Sequence, residues 1–184
     1  MKQSEVQKEL ERFRDYVIKE ARTNLTRNKK NVSKGLYESL KGNVKAMPNS
    51  LSIEFEMNQY GQFQDKGVKG AKPSLVKNGK QKAPNSPFSF KSKMPPMEPL
   101  SKWAQKKNIR FRNADGTFAK GGYKSLGFWL QKRIFAQGIK PSLFFTKPFE
   151  AAFKRLPDEL VEKFGLDAMN LFKQTQFKNE NKNG

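Results

Sequence analysis

The sequence predicts an α+β fold in a single domain over residues 1–184, with a long N-terminal helix, a small antiparallel sheet, two or three further helices and a long basic loop or arm. Three patterns support this prediction: a helical repeat of apolar residues at the N-terminus, strict alternation over 51–57, and renewed helical spacing from Pro99 onward. A length of 184 residues is ordinary for one domain.

The first element is predicted as one amphipathic helix over residues 3–31. Its apolar residues recur at steps of three and four, while Lys, Arg and Glu occupy the other faces. The apolar residues are Val6, Leu10, Phe13, Val17, Ala21 and Leu25. A helix of this kind packs on its own sheet or lines a subunit contact, and the sequence leaves both possibilities open.

The next stretch predicts a short helix followed by a hairpin. Gly35 and Gly42 argue against one continuous helix, so we expect a short helix over 33–40 and a strand over 42–47. Residues 48–50 are typical of a turn. Apolar and polar residues then alternate without exception from 51 to 57, which predicts a half-buried antiparallel strand.

A basic, acid-free segment follows the sheet. Residues 60–65 are predicted to form a helical turn that ends at Gly67, a residue able to adopt positive φ. Residues 68–96 contain no acidic and few apolar side chains. We therefore expect an extended basic arm or long loop at 68–96, which Phe88 and Phe90 would anchor on a neighbour.

The following residues predict a helix, a hairpin and a second helix. Pro99 stands at the start of a short helix that closes near Lys107. Residues 110–118 favour an arginine-bearing hairpin with an Asp-Gly turn. The next helix ends at Gly138, and we expect it to be central, because it is apolar over most of its circumference.

The C-terminal part predicts more helix. Residues 143–146 form either a short buried strand or the start of the next helix. Further helices begin near Pro148 and Pro157, the latter with acidic residues in its first turn. The tail at 178–184 is expected to fray.

The positive charge is concentrated in the middle of the chain. Residues 66–149 hold 19 Lys and Arg against two acids, whereas the remainder has 18 basic and 15 acidic residues, for a net charge of +20 overall. Such a balance predicts a polyanionic partner: DNA, RNA or an acidic protein surface. The alternative is a merely basic protein from a lysine-rich proteome.

The residues predicted to contact DNA or an acidic partner are the lysines around the basic segment and two arginines that flank Phe111. They are Lys66, Lys69, Lys72, Lys77, Lys80, Lys82, Lys91, Lys93, Arg110 and Arg112. Lysines on mobile stems bind phosphate without reading base edges, so we expect non-specific, salt-sensitive contact with double-stranded DNA. Docking of the arm on an acidic neighbouring subunit is the competing interpretation.

The sequence argues against catalysis. Without His or Cys, it has no thiolate metal site, Cys nucleophile or imidazole base. Glu54 and Glu56 lie on one strand face and raise a metal-dependent nuclease hypothesis, but no Glu-x-Lys follows, and solvated glutamates are the simpler interpretation. We expect no enzyme activity and no cofactor or metal. No run of 18 apolar residues exists, so we expect no membrane partner.

Three segments, in this order, resemble the tail-completion and head-to-tail joining (neck) proteins of tailed bacteriophages. They are Tyr60-Gly61…Asp65-Lys66-Gly67 with the basic loop after it, Pro95-Pro96…Leu100…Trp103…Lys107, and Leu126…Ile134…Gly138-Ile139-Lys140-Pro141-Ser142-Leu143-Phe144-Phe145. The resemblance covers about residues 60 to 150. The Lys-rich loop is longer here than in the compact family members.

The resemblance implies a structural virion protein: an α+β subunit of a closed homo-oligomeric ring at the head-tail junction, assembled in the host bacterial cytoplasm. Its partners would be portal, adaptor or tail proteins, and genomic DNA would pass through the ring. The residues predicted at the subunit interface are Tyr60, Phe63, Asp65, Phe88, Phe90 and Trp103. A free, non-specific nucleic-acid-binding protein, associated with ribosome or nucleoid, is the alternative.

Overall fold

The structure is a computed structural model that describes residues 3–28, 34–47, 50–75 and 80–164. In chain order its elements are α1 (Gln3–Arg27), α2 (Gly35–Ser39), β1 (Lys41–Met47), β2 (Ser50–Glu56), α3 (Tyr60–Lys66), β3 (Val68–Lys69), a 3-10 turn (Pro73–Leu75), α4 (Met97–Lys106), α5 (Gly122–Gln137), β4 (Gly138–Ile139), α6 (Thr146–Phe153) and α7 (Asp158–Phe164). Strands β1 and β2 form one antiparallel pair and β3 and β4 another. The predicted α+β class is confirmed.

The described residues fall into two compact units. The first unit contains those up to Gly61 together with those from Leu143 onward, and the second unit is Gln62–Ser142. Whether these units fold as one domain stays a prediction. The predicted frayed tail at 178–184 and the last part of the predicted C-terminal helix lie outside the described residues.

Helix α1 supplies one wall of the first unit. Every residue of its predicted apolar stripe is buried, from Val6 to Leu25. The stripe packs against β1 and α6. The helix therefore covers its own sheet, as one of the two sequence interpretations expected.

Aromatic rings fill the core of the first unit. Phe55 from β2 lies 5.1 Å from Phe145 and 6.1 Å from Phe149, measured between ring centroids. Phe13 from α1 meets Phe149 edge to face at 5.3 Å. Such tilted and edge-to-face pairs add to the free energy that burial of the rings provides.

The outer edge of β1 is hydrogen-bonded by a side chain of α1. Gln7 donates from Nε2 to the Val44 carbonyl at 3.2 Å, and its Oε1 accepts from the Ala46 N–H at 2.8 Å. A strand edge covered in this way cannot pair with another strand at those positions. The β1–β2 register places Val44 opposite Ile53, and both side chains are buried.

The second unit is built on the packing of α4 against α5. Leu126 and Gly127 of α5 are buried, and a Cβ at Gly127 would come within 2.0 Å of the Ser101 hydroxyl oxygen on α4. On another part of α5, Phe128 and Trp129 are exposed. The prediction of a central helix therefore holds for only part of its surface, because Phe128 and Trp129 are exposed to solvent in the single chain.

Other element bounds differ from the prediction by small amounts. Helix α1 ends at Arg27, α4 begins at Met97 so that Pro99 lies in its first turn, and α3 ends before Gly67 at φ 73° as expected. Of the two interpretations of 143–146, the second holds, because α6 begins at Thr146 directly after a turn.

Candidate polyanion-binding surface

The described part of the predicted arm is a folded loop. Backbone hydrogen bonds attach it to α5, from the Ala71 N–H to the Phe135 carbonyl at 2.8 Å and from the Lys82 N–H to the Gln137 carbonyl at 3.0 Å. The pairing of β3 with β4 fixes its first residues. Within 68–75 and 80–96 the segment therefore lies on its own unit instead of projecting as an arm.

The two ends of the loop are also bonded to each other. The Lys69 backbone N–H donates to the Phe88 carbonyl at 2.8 Å, and the Lys69 carbonyl accepts from the Phe90 N–H at 2.9 Å. Gln81 forms a two-point amide contact with Gly70, at 2.7 Å and 3.1 Å. Backbone groups make most of these bonds, while Ala83 and Ser86 are among the loop's buried side chains.

Close backbone approach makes two glycines necessary here. A Cβ at Gly70 would lie 2.1 Å from the Ala136 carbonyl oxygen, and one at Gly138 would lie 2.1 Å from the Val68 carbonyl oxygen. Gly138 also has a φ of 85°, which side-chain-bearing residues rarely adopt. These contacts explain how so polar a loop packs tightly on α5 and β4.

Most of the predicted loop lysines are exposed. Lys72, Lys80, Lys82, Lys91 and Lys93 are exposed, and Lys66 and Lys69 are half-buried, whereas Lys77 lies outside the described residues. The ammonium of Lys82 differs electrostatically from the rest. Partial burial, followed by repulsion from the Arg133 guanidinium, lowers the pKa of Lys82.

The predicted hairpin over 110–118 is present. Asn113 N–H donates to the Thr117 carbonyl at 2.9 Å, and Gly116 takes a φ of 83° in the turn. The Asp115 carboxylate accepts from the Thr117 N–H and hydroxyl at 2.9 Å and 2.7 Å. The hydrogen bond from the Thr117 hydroxyl contributes most, followed by the one from its N–H, to a pKa of Asp115 below the ordinary value. Both bonds keep this carboxylate within its own turn.

The hairpin places two guanidinium groups on one exposed ring. The guanidinium carbon of Arg110 lies 3.6 Å from the centroid of Phe118, and that of Arg112 lies 4.5 Å from it. Arg112 also donates to the Gly116 carbonyl at 2.7 Å. Arg110 Nε is buried and has no hydrogen-bond partner among the described residues, so this cation is incompletely satisfied.

Helix α5 continues the same arrangement. Phe111 meets Trp129 edge to face at 5.7 Å, and the Arg133 guanidinium lies 4.8 Å from the Trp129 ring. One turn of α5 also brings the Lys132 ammonium to 4.4 Å from the Phe128 ring. Hairpin and helix thus share an aromatic–arginine cluster, defined as Arg110, Phe111, Arg112, Phe118, Trp129 and Arg133.

Carboxylates do not balance this charge within the second unit. Residues 62–142 contain 18 Lys and Arg and three acidic residues. Their formal net charge is therefore +15, out of +20 for the whole chain. Glu98 forms an ion pair with Lys102 at 2.7 Å, Asp115 accepts from its own turn, and Asp65 is 3% exposed. A positive potential over the cluster and the loop lysines follows from this imbalance.

The residues predicted at a subunit interface are distributed unevenly. Phe63 and Phe88 meet edge to face at 4.8 Å and Phe90 lies 6.0 Å from Phe135, so these rings help to anchor the loop within its own unit. Tyr60 and Trp103 are exposed. An interface role for these five residues stays a prediction.

Asp65 differs from the other predicted interface residues. Its side chain is buried, and its carbonyl, like that of Gln64, accepts from the Ser142 N–H. A side chain buried in its own unit is not presented to a second subunit. Asp65 therefore serves the junction between α3 and the segment that follows β4.

Sequence reasoning did not single out Phe118, Trp129 or Arg133. The signal for Trp129 was present, because α5 has apolar residues around most of its circumference, and such a helix needs cover on more than one side. Phe118 carried a weaker signal: it stands two residues after the Asp-Gly turn, in the same hairpin as Arg110 and Arg112. Trp129 and Arg133 stand four residues apart on α5, a spacing visible in the sequence, whereas the contact of Phe111 with Trp129 depends on how hairpin and helix pack.

The glutamates of the nuclease hypothesis lie apart from this surface in the chain. Glu54 and Glu56 are half-buried on β2. Within 3–28, 34–47, 50–75 and 80–164, no three His, Cys, Asp or Glu side chains are grouped to hold a metal ion. In the same described ranges, no helix is long and apolar enough to cross a membrane.

Comparison of the chain with protein-family models, with curated proteins and with solved structures gave no match.

Proposed function

We propose that this chain is a structural subunit of the head-to-tail connector of a tailed bacteriophage. It would form a closed homo-oligomeric ring, with portal, adaptor or tail proteins as partners, and genomic DNA would pass through the ring. The order of the three sequence segments that resemble neck proteins supports the proposal. They span α3, the α4 region, and most of α5 together with the segment that leads to α6.

The observation that carries the proposal is the uncompensated charge of the second unit. Eighteen Lys and Arg share this unit with three acids, each of them buried, ion-paired or bonded to its own turn. Like charges at this density repel one another, and a nearby polyanion relieves the repulsion. A subunit placed around passing DNA would have such a partner permanently available.

A ring also accounts for exposed apolar surface in the isolated chain. Tyr60 and Trp103, two of the residues predicted at a subunit interface, are exposed. In a closed ring, each subunit presents one surface to the preceding neighbour and another to the following one. Part of these side chains would be covered by that heterologous contact.

Deletion of the gene from the phage that encodes the chain tests the proposal. We expect DNA-filled heads and separate tails, because the junction lacks a component, and we expect joined particles when the intact gene is supplied in trans. Cryo-electron microscopy of the joined particles should place the chain in a ring at the junction. Infectious particles that form without the chain, or purified virions that lack it, would overturn the proposal.

The aromatic–arginine cluster favours one second candidate, a free non-specific nucleic-acid-binding protein of ribosome or nucleoid. That function requires the chain to remain bound to cellular nucleic acid outside any particle. Fractionation of infected or expressing cells separates the candidates. Quantitative recovery with ribosomes or nucleoid, and none with virions, would favour the second candidate.

A further inference from the structure

The outer surface of α5 and the hairpin exposes more aromatic area than the fold requires. Phe118, Trp129 and Phe128 are 41%, 42% and 50% exposed. Rings of this size are usually buried, and a contiguous exposed group of them marks a binding surface. Phe111 packs on Trp129 at 5.7 Å and so joins the hairpin, which carries Phe118, to α5, which carries Trp129 and Phe128.

Each exposed ring of this surface also has a cation beside it. Arg110 and Arg112 lie on Phe118, Arg133 lies on Trp129, and Lys132 lies on Phe128. A guanidinium that rests on a ring loses part of its conformational freedom before a ligand arrives, while its N–H edge stays able to donate. The arrangement thus pre-positions donors for oxygen anions next to apolar ring surface.

The charge around the rings selects the partner. Burial, followed by repulsion from the Arg133 guanidinium, lowers the pKa of Lys82, so the loop adds a further positive charge to that of Arg133. All three carboxylates of residues 62–142 are engaged elsewhere. A second copy of this unit would bring +15 against +15, which disfavours an isologous contact through this surface.

A DNA duplex could contact the arginines of this surface but not its aromatic rings. Double-stranded DNA presents phosphates to the arginines, but its base faces are stacked inside the helix and cannot lie on Phe118 or Trp129. A single strand presents both phosphates and unstacked bases, and base-on-ring stacking is tolerant of sequence. We propose that the aromatic–arginine cluster binds single-stranded nucleic acid, with Phe118 and Trp129 stacking on bases and Arg110, Arg112 and Arg133 contacting phosphates.

This inference goes beyond the connector role and does not depend on it. It concerns a property of the purified chain, whereas the connector role is tested in particles. A chain that binds single strands but is absent from virions would therefore refute only the connector role. A virion component that does not bind single strands would refute only the present proposal.

The test is a fluorescence anisotropy titration of the full chain with labelled 20-nucleotide oligonucleotides of mixed sequence. Single-stranded DNA, single-stranded RNA and the matching DNA duplex are compared at several salt concentrations. The variants are Trp129→Ala, Phe118→Leu and Arg133→Gln. Trp103→Ala, an exposed tryptophan outside the cluster, and Arg12→Gln, an exposed arginine on α1, are the matched controls.

We expect single strands to bind more tightly than the duplex. Loss of one stacking ring should weaken single-strand binding about 5- to 100-fold, with little change in the salt slope. Arg133→Gln should weaken both single-strand and duplex binding and reduce the salt slope by about one phosphate contact. The two controls should retain wild-type affinity, and the relative affinity for DNA and RNA tells which strand the surface prefers.

Three results would overturn the proposal. The first is equal or tighter binding of the duplex, and the second is wild-type affinity in both ring variants. The third is absence of nucleic-acid binding together with self-association that Trp129→Ala abolishes in sedimentation, which would assign the surface to a protein interface. Phe118→Leu keeps an apolar side chain, so it separates loss of stacking from loss of folding, and far-ultraviolet circular dichroism verifies each variant.

Discussion

At the scale of single residues, Phe55 determines more of the stability of the first unit than any charged side chain does. It is fully buried and contacts the rings of Phe145 and Phe149. Phe55→Ala should lower the free energy of unfolding by about 3–5 kcal/mol, because it removes the ring and leaves a cavity. Urea denaturation measures the change.

Tyr60→Ala provides the control for this prediction. Tyr60 is an exposed aromatic residue of the same unit, so its truncation should change the free energy of unfolding by about 0.5 kcal/mol or less. Equal losses for the two variants would contradict the placement of the core.

Lys82 supplies a prediction on pH. Its pKa is lowered in the folded chain, so its charged form is disfavoured there, and the unfolded chain binds more protons in the interval between the lowered pKa and the ordinary value. The contribution of Lys82 to stability should therefore be least favourable below the lowered pKa and should improve as pH rises through it.

Comparison with Lys82→Gln isolates this contribution. The wild-type chain should gain free energy of unfolding relative to the variant as pH rises toward 10.5. Urea denaturation over this interval measures the difference, and nuclear magnetic resonance titration of the lysine gives its pKa directly. A pKa at or above 10.5 would contradict the description of this site.

At the scale of elements, the loop described over 68–75 and 80–96 shows how backbone contacts supplement a few apolar anchors, among them Phe88 and Phe90. Gly70 packs so closely on the end of α5 that a Cβ would meet the Ala136 carbonyl. Gly70→Ala should lower the free energy of unfolding by about 2–3 kcal/mol, because backbone has to shift. Hydrogen exchange should also accelerate at the Ala71 and Lys82 amides, which donate to α5.

Gly116→Ala is the matched variant. Gly116 has a positive φ, but a Cβ there would meet nothing within 4 Å. Its substitution should cost only the backbone strain of about 1–2 kcal/mol and leave exchange in the loop unchanged. A larger loss for Gly116→Ala than for Gly70→Ala would show that the loop does not pack as described.

Elements with a regular spacing could be predicted from the sequence. The buried stripe of α1 and the alternation of β2 depend on side-chain periodicity, and both appear at the predicted residues. The loop could not be predicted in this way, since main-chain donors, Gly70 and the amide of Gln81 hold it in place. Such bonds leave almost no trace in the pattern of apolar residues.

Some residues of the candidate site could likewise be predicted from the sequence, and others could not. Arg110 and Arg112 could be identified from the sequence, because they flank Phe111 in an acid-poor hairpin. The contact of Phe111 with Trp129, which joins the hairpin to α5, depends on tertiary packing and unites residues 18 positions apart. Long-range contact of this kind needs coordinates.

At the scale of the whole molecule, charge is divided between the two units. The second unit carries +15 of the net +20, whereas the acids of the first unit are interspersed with its basic residues along α1. Net charge of this size weakens the compact state through self-repulsion unless salt or a partner screens it. We therefore propose that a polyanionic partner would contact the second unit rather than the first.

The central claim is that this cationic surface is covered in the native assembly, and lysine acylation followed by mass spectrometry tests it most directly. The isolated chain and purified particles that contain it are labelled under identical conditions. We predict that Lys72, Lys80, Lys91 and Lys93 react more slowly in particles than in the isolated chain, because DNA or a neighbouring subunit covers them. Equal reactivity of all four lysines in the two samples would contradict the claim.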